Sequence, residues 1–268
     1  GDVQEAIDIF EYMAGEGRRL FGRTTTSELK NKFNATIRIP IGVVGLITPW
    51  NFPIAIPSWK IAPALICGNT IVFKPSSDTP LCAIELVKII EKAALPKGIL
   101  NLVTGSGNRV GNPIIKHPRI RGLSFTGSRD TGKFIRENAG LKKVNLELGS
   151  KNAIIIMEDA NLNSALEGVL WGAFGTTGQR CTAASRVVVH RSIKDRLVRE
   201  LCVRANRLRL GNGLKRTTDV GPLVNKESLQ KVERYVEAGK KEGAKLVAGG
   251  AAPSMTGYFY KPTIFEDA

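Results

Sequence analysis

TIVFKPSSDTPLCAIELVKIIEKAALPKGILNLV, residues 70–103, decides the fold. Its opening TIVFK is β-branched and aromatic, the composition of a strand. Residues Pro80–Ala94 then carry apolar side chains at helical spacing, from a proline suited to a first turn to a stop near Pro96. ILNLV (Ile99–Val103) is apolar and strand-like again. A strand, a helix and a second strand with short connections form the repeating unit of a parallel sheet covered by helices. The alternation extends to both sides. Upstream come an amphipathic helix over 3–20, a strand at Gly42–Ile47 and a helix at Pro57–Cys67 stopped by Gly68. Downstream come a helix at Arg109–Lys116, a strand at Gly122–Phe125, a helix at Ser128–Ala139 and a strand at Lys143–Glu147.

A second set begins after Gly149 and Ser150 interrupt the pattern. It reads as strand Ala153–Met157, helix Leu162–Phe174, strand Arg186–His190, helix 192–209, helix Lys226–Glu242, strand Lys245–Ala248 and a strand-like Phe259–Phe265. The fold class is therefore α/β, with a parallel-sheet domain over 1–148 and an incomplete second α/β domain over 149–268. The chain starts at Gly1 rather than Met and stops at KPTIFEDA, so it reads as a piece of something longer.

Composition excludes several classes of function. An apolar fraction of 43% across 268 residues suits a folded globular protein. No apolar run reaches the roughly 18 residues of a membrane span, since Pro57, Lys60 and Pro63 break the longest candidate. Cys67, Cys82, Cys181 and Cys202 lack metal-ligand spacing, and His117 and His190 are the only histidines, so no metal site is expected. Unpaired cysteines in a chain this long suit a reducing, cytoplasmic compartment. The net charge of +15 raises nucleic acid as a partner, but the basic residues are dispersed and aromatics are only 6%. In the densest basic stretch, 191–210, Ile193, Leu197, Leu201, Ala205 and Leu208 alternate with arginines as on a solvated helix. No nucleic acid and no membrane are expected as partners.

Parallel sheets bind ligands beyond the carboxyl ends of their strands. Asn51, Lys74, Gly105, Gly127 and Glu147 stand there. VTGSGNRVG (103–111) is one residue longer than the dinucleotide fingerprint, a weak signal alone. FTGSRDTG (125–132) reads better: Gly127 permits a tight turn and Ser128 an N-cap, leaving helix N–H groups for a phosphate. An ordinary capped turn explains either loop equally well. GTTGQRCTAA (175–184) sets Cys181 among small and polar residues, where a structural cysteine would have apolar neighbours.

TPWNFP (48–53), VFKPSSDTP (72–80), FTGS (125–128), LELGSKNA (146–153) and GQRCTA (178–183), in this order, resemble the signature set of the NAD(P)-dependent aldehyde dehydrogenase superfamily over essentially the whole chain. The resemblance implies a Rossmann-like dinucleotide-binding domain followed by part of the catalytic domain. It implies an oxidoreductase that turns an aldehyde into a carboxylic acid through a cysteine thiohemiacetal and thioester, with NAD or NADP as cofactor. Cys181 would be the nucleophile, Glu147 the general base and Asn51 the oxyanion donor, with Lys60 near them in a proton relay. Lys74 and Ser77 would face the adenosine ribose, and Ser128 the pyrophosphate. Ile47, Trp50, Gly105, Phe125, Thr126, Gly127 and Leu148 would complete the cofactor cleft. The partners implied are a small aldehyde and further copies of the chain, as a homodimer or homotetramer.

Two positions depart from the family pattern. Ser150 replaces its usual glycine, and Ser77 replaces a frequent glutamate that would repel a 2′-phosphate, so NADP should be tolerated. The family's later glutamate–phenylalanine motif lies beyond the chain. Competing readings are a CoA-acylating semialdehyde dehydrogenase, for which Glu147 is superfluous, and a non-catalytic protein reusing the scaffold. Cys67, Cys82 and Cys202 are expected in apolar cores.

Overall fold

The computed structural model describes residues 1–267, which form two compact units, Gly1–Gly149 and Ser150 onward. In the first, helix α1 (Asp2–Gly17) precedes a two-stranded antiparallel ribbon, β1 (Arg23–Thr25) with β2 (Asn34–Thr36). Then follow β3 (Val43–Ile47), α2 (Ala55–Ile66), β4 (Thr70–Lys74), α3 (Pro80–Lys92), β5 (Leu100–Leu102), a wide π-type turn at Gly107–Gly111, α4 (Asn112–Lys116), β6 (Ile120–Gly127), α5 (Arg129–Asn138) and β7 (Lys143–Leu148). Strands β3 to β7 form one parallel sheet in the order β5-β4-β3-β6-β7. The chain works outward from β3 to one edge, then returns to the other side of β3 to build β6 and β7. That reversal beside β3 is where a doubly wound sheet opens a crevice.

Strand alternation explains why both faces are covered. Val44, Leu46, Ile71 and Phe73 point into a core shared with α2 and α3, through Ile61, Ala83, Leu86, Val87 and Ile90. Their neighbours Val43, Ile47 and Val72 point the other way, toward Ile114, Ile115, Ile135 and Ala139 of α4 and α5. Ile61, Ile71 and Phe73 are completely buried, each stabilising by about 1.5–3 kcal/mol relative to exposure. Helix α4 sits so close to β3 that a Cβ on Gly45 would lie 2.6 Å from Ile114.

The second unit contains β8 (Asn152–Ile156), α6 (Leu162–Phe174), β9 (Ala184–Val189), α7 (Lys194–Asn206), α8 (Lys226–Lys241), β10 (Lys245–Ala248) and β11 (Ile264–Glu266). β8 and β9 pair in parallel, with a bulge that leaves Ser185 unmatched. Ile156, Leu166, Val169, Leu197 and Leu201 form the core between this pair and α6 and α7. β10 and β11 pair antiparallel, and α8 packs beside them through Val236 near Phe265. Of the α7 arginines, Arg196 and Arg199 are exposed as expected, Arg196 pairing with Glu200 at 3.1 Å, whereas Arg204 is partly buried and donates to Asn163 at 2.7 Å.

Several expectations need correction. The helix expected over 3–20 ends at Gly17, and Val3 and Ile7 of its presumed apolar face are 61% and 47% exposed. The helix expected over 109–116 begins as the π-type turn. The strand expected over 259–265 shrinks to Ile264–Glu266, because Phe259 and Tyr260 are buried by their side chains without joining a ladder. Cys67 is exposed, since Gly68 (φ +74) turns the chain immediately after α2; Cys82 and Cys202 are partly buried. Among the described residues no helix is long and apolar enough to cross a membrane, and no cluster of three metal-binding side chains occurs.

Candidate active site

Parallel register aligns the strand ends of the first unit. Ile47 lies opposite both Lys74 and Phe125, Thr126 opposite Glu147, and Gly127 opposite Leu148. The turn after β3 carries Trp50 and Asn51, both partly buried. It is held at two points. Phe52 stacks on Trp59 of α2, ring centroids 6.5 Å apart. The carboxylate of Asp2 accepts from the backbone N–H groups of Ile54 (3.1 Å) and Ala55 (2.8 Å), capping α2 from a distant helix. Asp2 had no sequence signal as a functional residue, because the cap it provides belongs to an element far along the chain.

Lys60, on α2, is 8% exposed, and its Nζ donates to Ser124 Oγ on β6 at 2.8 Å. Burial pulls its pKa down to about 8, while the nearby Glu147 carboxylate acts in the opposite direction. The pair that sequence could only name separately is thus electrostatically joined within one unit. Glu147 itself is exposed on β7. Ser124 was not anticipated; a serine in an apolar strand facing a lysine helix would have been the only clue.

The candidate nucleotide residues gather along the same edge. Lys74 is 5% exposed, donates to the Pro75 carbonyl, and has its pKa lowered by burial. Ser77 is exposed and its hydroxyl donates to the carbonyl of Gly105 at 3.2 Å, joining two separately proposed residues. Gly105 has φ +144, and a Cβ there would lie 2.6 Å from Val110, so only glycine fits. Ser128 is the N-cap of α5: its Oγ accepts from Thr131 N–H (3.2 Å) and donates to Thr131 Oγ1 (2.9 Å). Its hydroxyl is therefore engaged in the cap. Any anion there would meet the backbone N–H groups of the first turn.

In the second unit, Cys181 is exposed in the loop between α6 and β9. Thr176 (φ 52, ψ 37), Thr177 (φ 57, ψ 28) and Gly178 (φ 66) form a left-handed run before it. β-branched residues rarely adopt that conformation, so surrounding contacts must impose it. Thr177 Oγ1 donates to Gly221 O at 3.1 Å, and Gln179 Oε1 accepts from Val224 N–H at 3.1 Å. Arg180 lies 4.8 Å from the Trp171 ring centroid and donates to Trp171 O at 2.6 Å. Asn152 Nδ2 donates to the carbonyl of Cys181 itself at 2.7 Å.

Comparison with known proteins places the chain in a family. The sequence profile of the aldehyde dehydrogenase family matches residues 1–268. An alpha-ketoglutaric semialdehyde dehydrogenase of Bacillus subtilis is 42% identical over 100% of this chain and 56% of its own length. The mouse cytosolic aldehyde dehydrogenase 1 is 45% identical over 99% of this chain and 54% of its own. A crystal structure of Staphylococcus aureus betaine aldehyde dehydrogenase in complex with NAD+ superimposes with a TM-score of 0.97 at 38% identity, covering 100% of this chain and 54% of that one. The chain spans about half the length of the relatives it matches.

Proposed function

The chain belongs to the aldehyde dehydrogenase family, and from that premise we propose that the protein containing it oxidises an aldehyde to a carboxylic acid, with NAD+ or NADP+ as the hydride acceptor. The observation that carries this reading is the Cys181 loop. An exposed thiol follows a left-handed run and is anchored on both sides, the arrangement expected of a nucleophile rather than of a core cysteine.

The first unit suits a dinucleotide. It offers the capped N-terminus of α5, the nearly buried cation of Lys74, and a Gly105 backbone bare of a side chain. Lys74 and Ser77 would hold the adenosine ribose, and the turn at Ser128 the pyrophosphate. Ile47, Trp50, Phe125, Thr126, Gly127 and Leu148 would flank the remainder. When bound, the nicotinamide nucleotide supplies the acceptor for the hydride that leaves the aldehyde carbon.

The protein's own groups perform the rest. The Cys181 thiolate forms a bond to the carbonyl carbon, giving a thiohemiacetal. The side-chain amide of Asn51 and the N–H of Cys181 stabilise the oxyanion, such donors being worth about 3–4 kcal/mol each. Lys60, with its pKa near 8 and its contact to Ser124, exchanges protons readily close to neutral pH. The acyl group is left on sulfur as a thioester, and Glu147 deprotonates the water that hydrolyses it. A panel of aldehydes with NAD+ and NADP+, followed by absorbance of the reduced cofactor, tests the proposal on the intact protein. Activity that vanishes in Cys181→Ala supports it; activity that persists there refutes it.

A further inference from the structure

The hydroxyl of Ser150, at the start of the second unit, is not idle. Ser150 Oγ donates to Asn152 Oδ1 at 2.7 Å. The amide nitrogen of Asn152 in turn donates to two carbonyls, Cys181 at 2.7 Å and Ala183 at 3.3 Å. The donor–acceptor logic fixes the amide orientation: two carbonyls require the NH2 group on the loop side, and the hydroxyl then finds the oxygen. Beside it, Ser185 Oγ donates to Asn152 O (3.4 Å) at the β8–β9 bulge. All of these groups lie within the second unit.

We propose that Ser150 and Asn152 are positioning residues for the nucleophile: the Ser150 hydroxyl orients the Asn152 amide, which pins the carbonyls on either side of Thr182 and so fixes the peptide that carries the Cys181 thiol. This rests on the reading of Cys181 as nucleophile. Without the Asn152 amide, Thr177 keeps its bond to Gly221 and Arg180 its bond to Trp171 on the amino side, but the carbonyls of Cys181 and Ala183 lose their donor from β8. Glycine at 150 removes the hydroxyl that holds Asn152 Oδ1, so that only the bonds to the two carbonyls still orient the amide. Serine there supplies an orientation that glycine cannot.

The test uses the intact protein with Ser150→Ala, Ser150→Thr and Asn152→Ala. Three quantities are read: kcat and KM, melting temperature, and the rate at which iodoacetamide alkylates Cys181, located by peptide mass. Losing one neutral hydrogen bond predicts about a 2–10-fold fall in kcat and in alkylation rate for Ser150→Ala. Misplacement approaching 1 Å predicts up to about a 100-fold fall for Asn152→Ala. KM for NAD+ should stay within about twofold of wild type in both if the cofactor site is untouched. Ser150→Thr, which keeps the hydroxyl, should retain the wild-type values. Unchanged kcat and alkylation in Ser150→Ala and Asn152→Ala overturn the proposal. So does a fall that follows melting temperature and KM for NAD+ together, which marks a merely structural role. Cys181→Ala separates the two readings. If it keeps aldehyde oxidation, the nucleophile assignment fails, while the alkylation rates still report whether Ser150 and Asn152 hold the thiol.

Discussion

Replacing Lys60 by methionine should stabilise the first unit at neutral pH and lose that advantage in alkali. The amine is 8% exposed, and burial sets its folded pKa at about 8 against 10.5 in the ordinary lysine. The folded value lies below the unfolded one, so the folded state binds fewer protons between pH 8 and 10.5. The cost of charging Lys60 in its site is therefore fully present below pH 8 and is relieved as pH rises toward 10.5. At about 1.4 kcal/mol per pH unit, the full cost is about 3 kcal/mol, of which about 2–3 is relieved between pH 7 and pH 10. Methionine has the length of the lysine stem and no titration. It forfeits the hydrogen bond to Ser124, worth about 1 kcal/mol, but that loss is equal at both pH values and cancels in the comparison. Urea unfolding followed by tryptophan fluorescence, through Trp50 and Trp59 beside the site, measures it. The stability difference between Lys60→Met and wild type should shrink by about 2–3 kcal/mol from pH 7 to pH 10. Parallel stability curves across that range would refute the buried-amine account.

Removing the Asp2 carboxylate by Asp2→Ala should cost about 0.5–2 kcal/mol in denaturant unfolding, because two N–H groups of α2 lose their acceptor; no loss would show the cap to be dispensable. Thr176→Asn should raise the melting temperature by about 2–4 °C, since asparagine tolerates left-handed backbone better than a β-branched residue. An unchanged or lower value would place the strain elsewhere. Ser77→Glu should lower kcat/KM for NADP+ relative to NAD+ by about tenfold or more, the equivalent of 1.4 kcal/mol of repulsion at a 2′-phosphate. A ratio that does not move would dissociate Ser77 from the ribose.

The sheet was legible because burial on two faces demands unbroken apolar strands: Val43–Ile47 and Thr70–Lys74 can hardly be anything else. The ribbon of Arg23–Thr25 and Asn34–Thr36 was missed because both strands are exposed and show no alternation. The turn at Gly107–Gly111 was misread because two glycines permit several backbones, and the structure selects the widest. Cys181 stood out through its unusual neighbours. Its supports did not, because Gln179 reaches Val224 and Asn152 reaches Cys181 across intervals that no local pattern encodes. Lys60 could be named from a motif, but its depressed pKa is a product of burial, only partly offset by Glu147, and appears only once α2 is packed on the sheet.

The Asp2 clasp also bears on how the chain is made. It joins residues 52 and 53 positions apart, with α1 on the early side. At 5–20 residues per second, a ribosome needs about 3–10 s to deliver the second half of the clasp after the first. During that interval α1 lacks its partner α2, and Ala6 is its one buried residue even in the finished fold. Docking of α1 through Asp2 is therefore gated by the emergence of α2, and until then the helix stays unfastened on the ribosome.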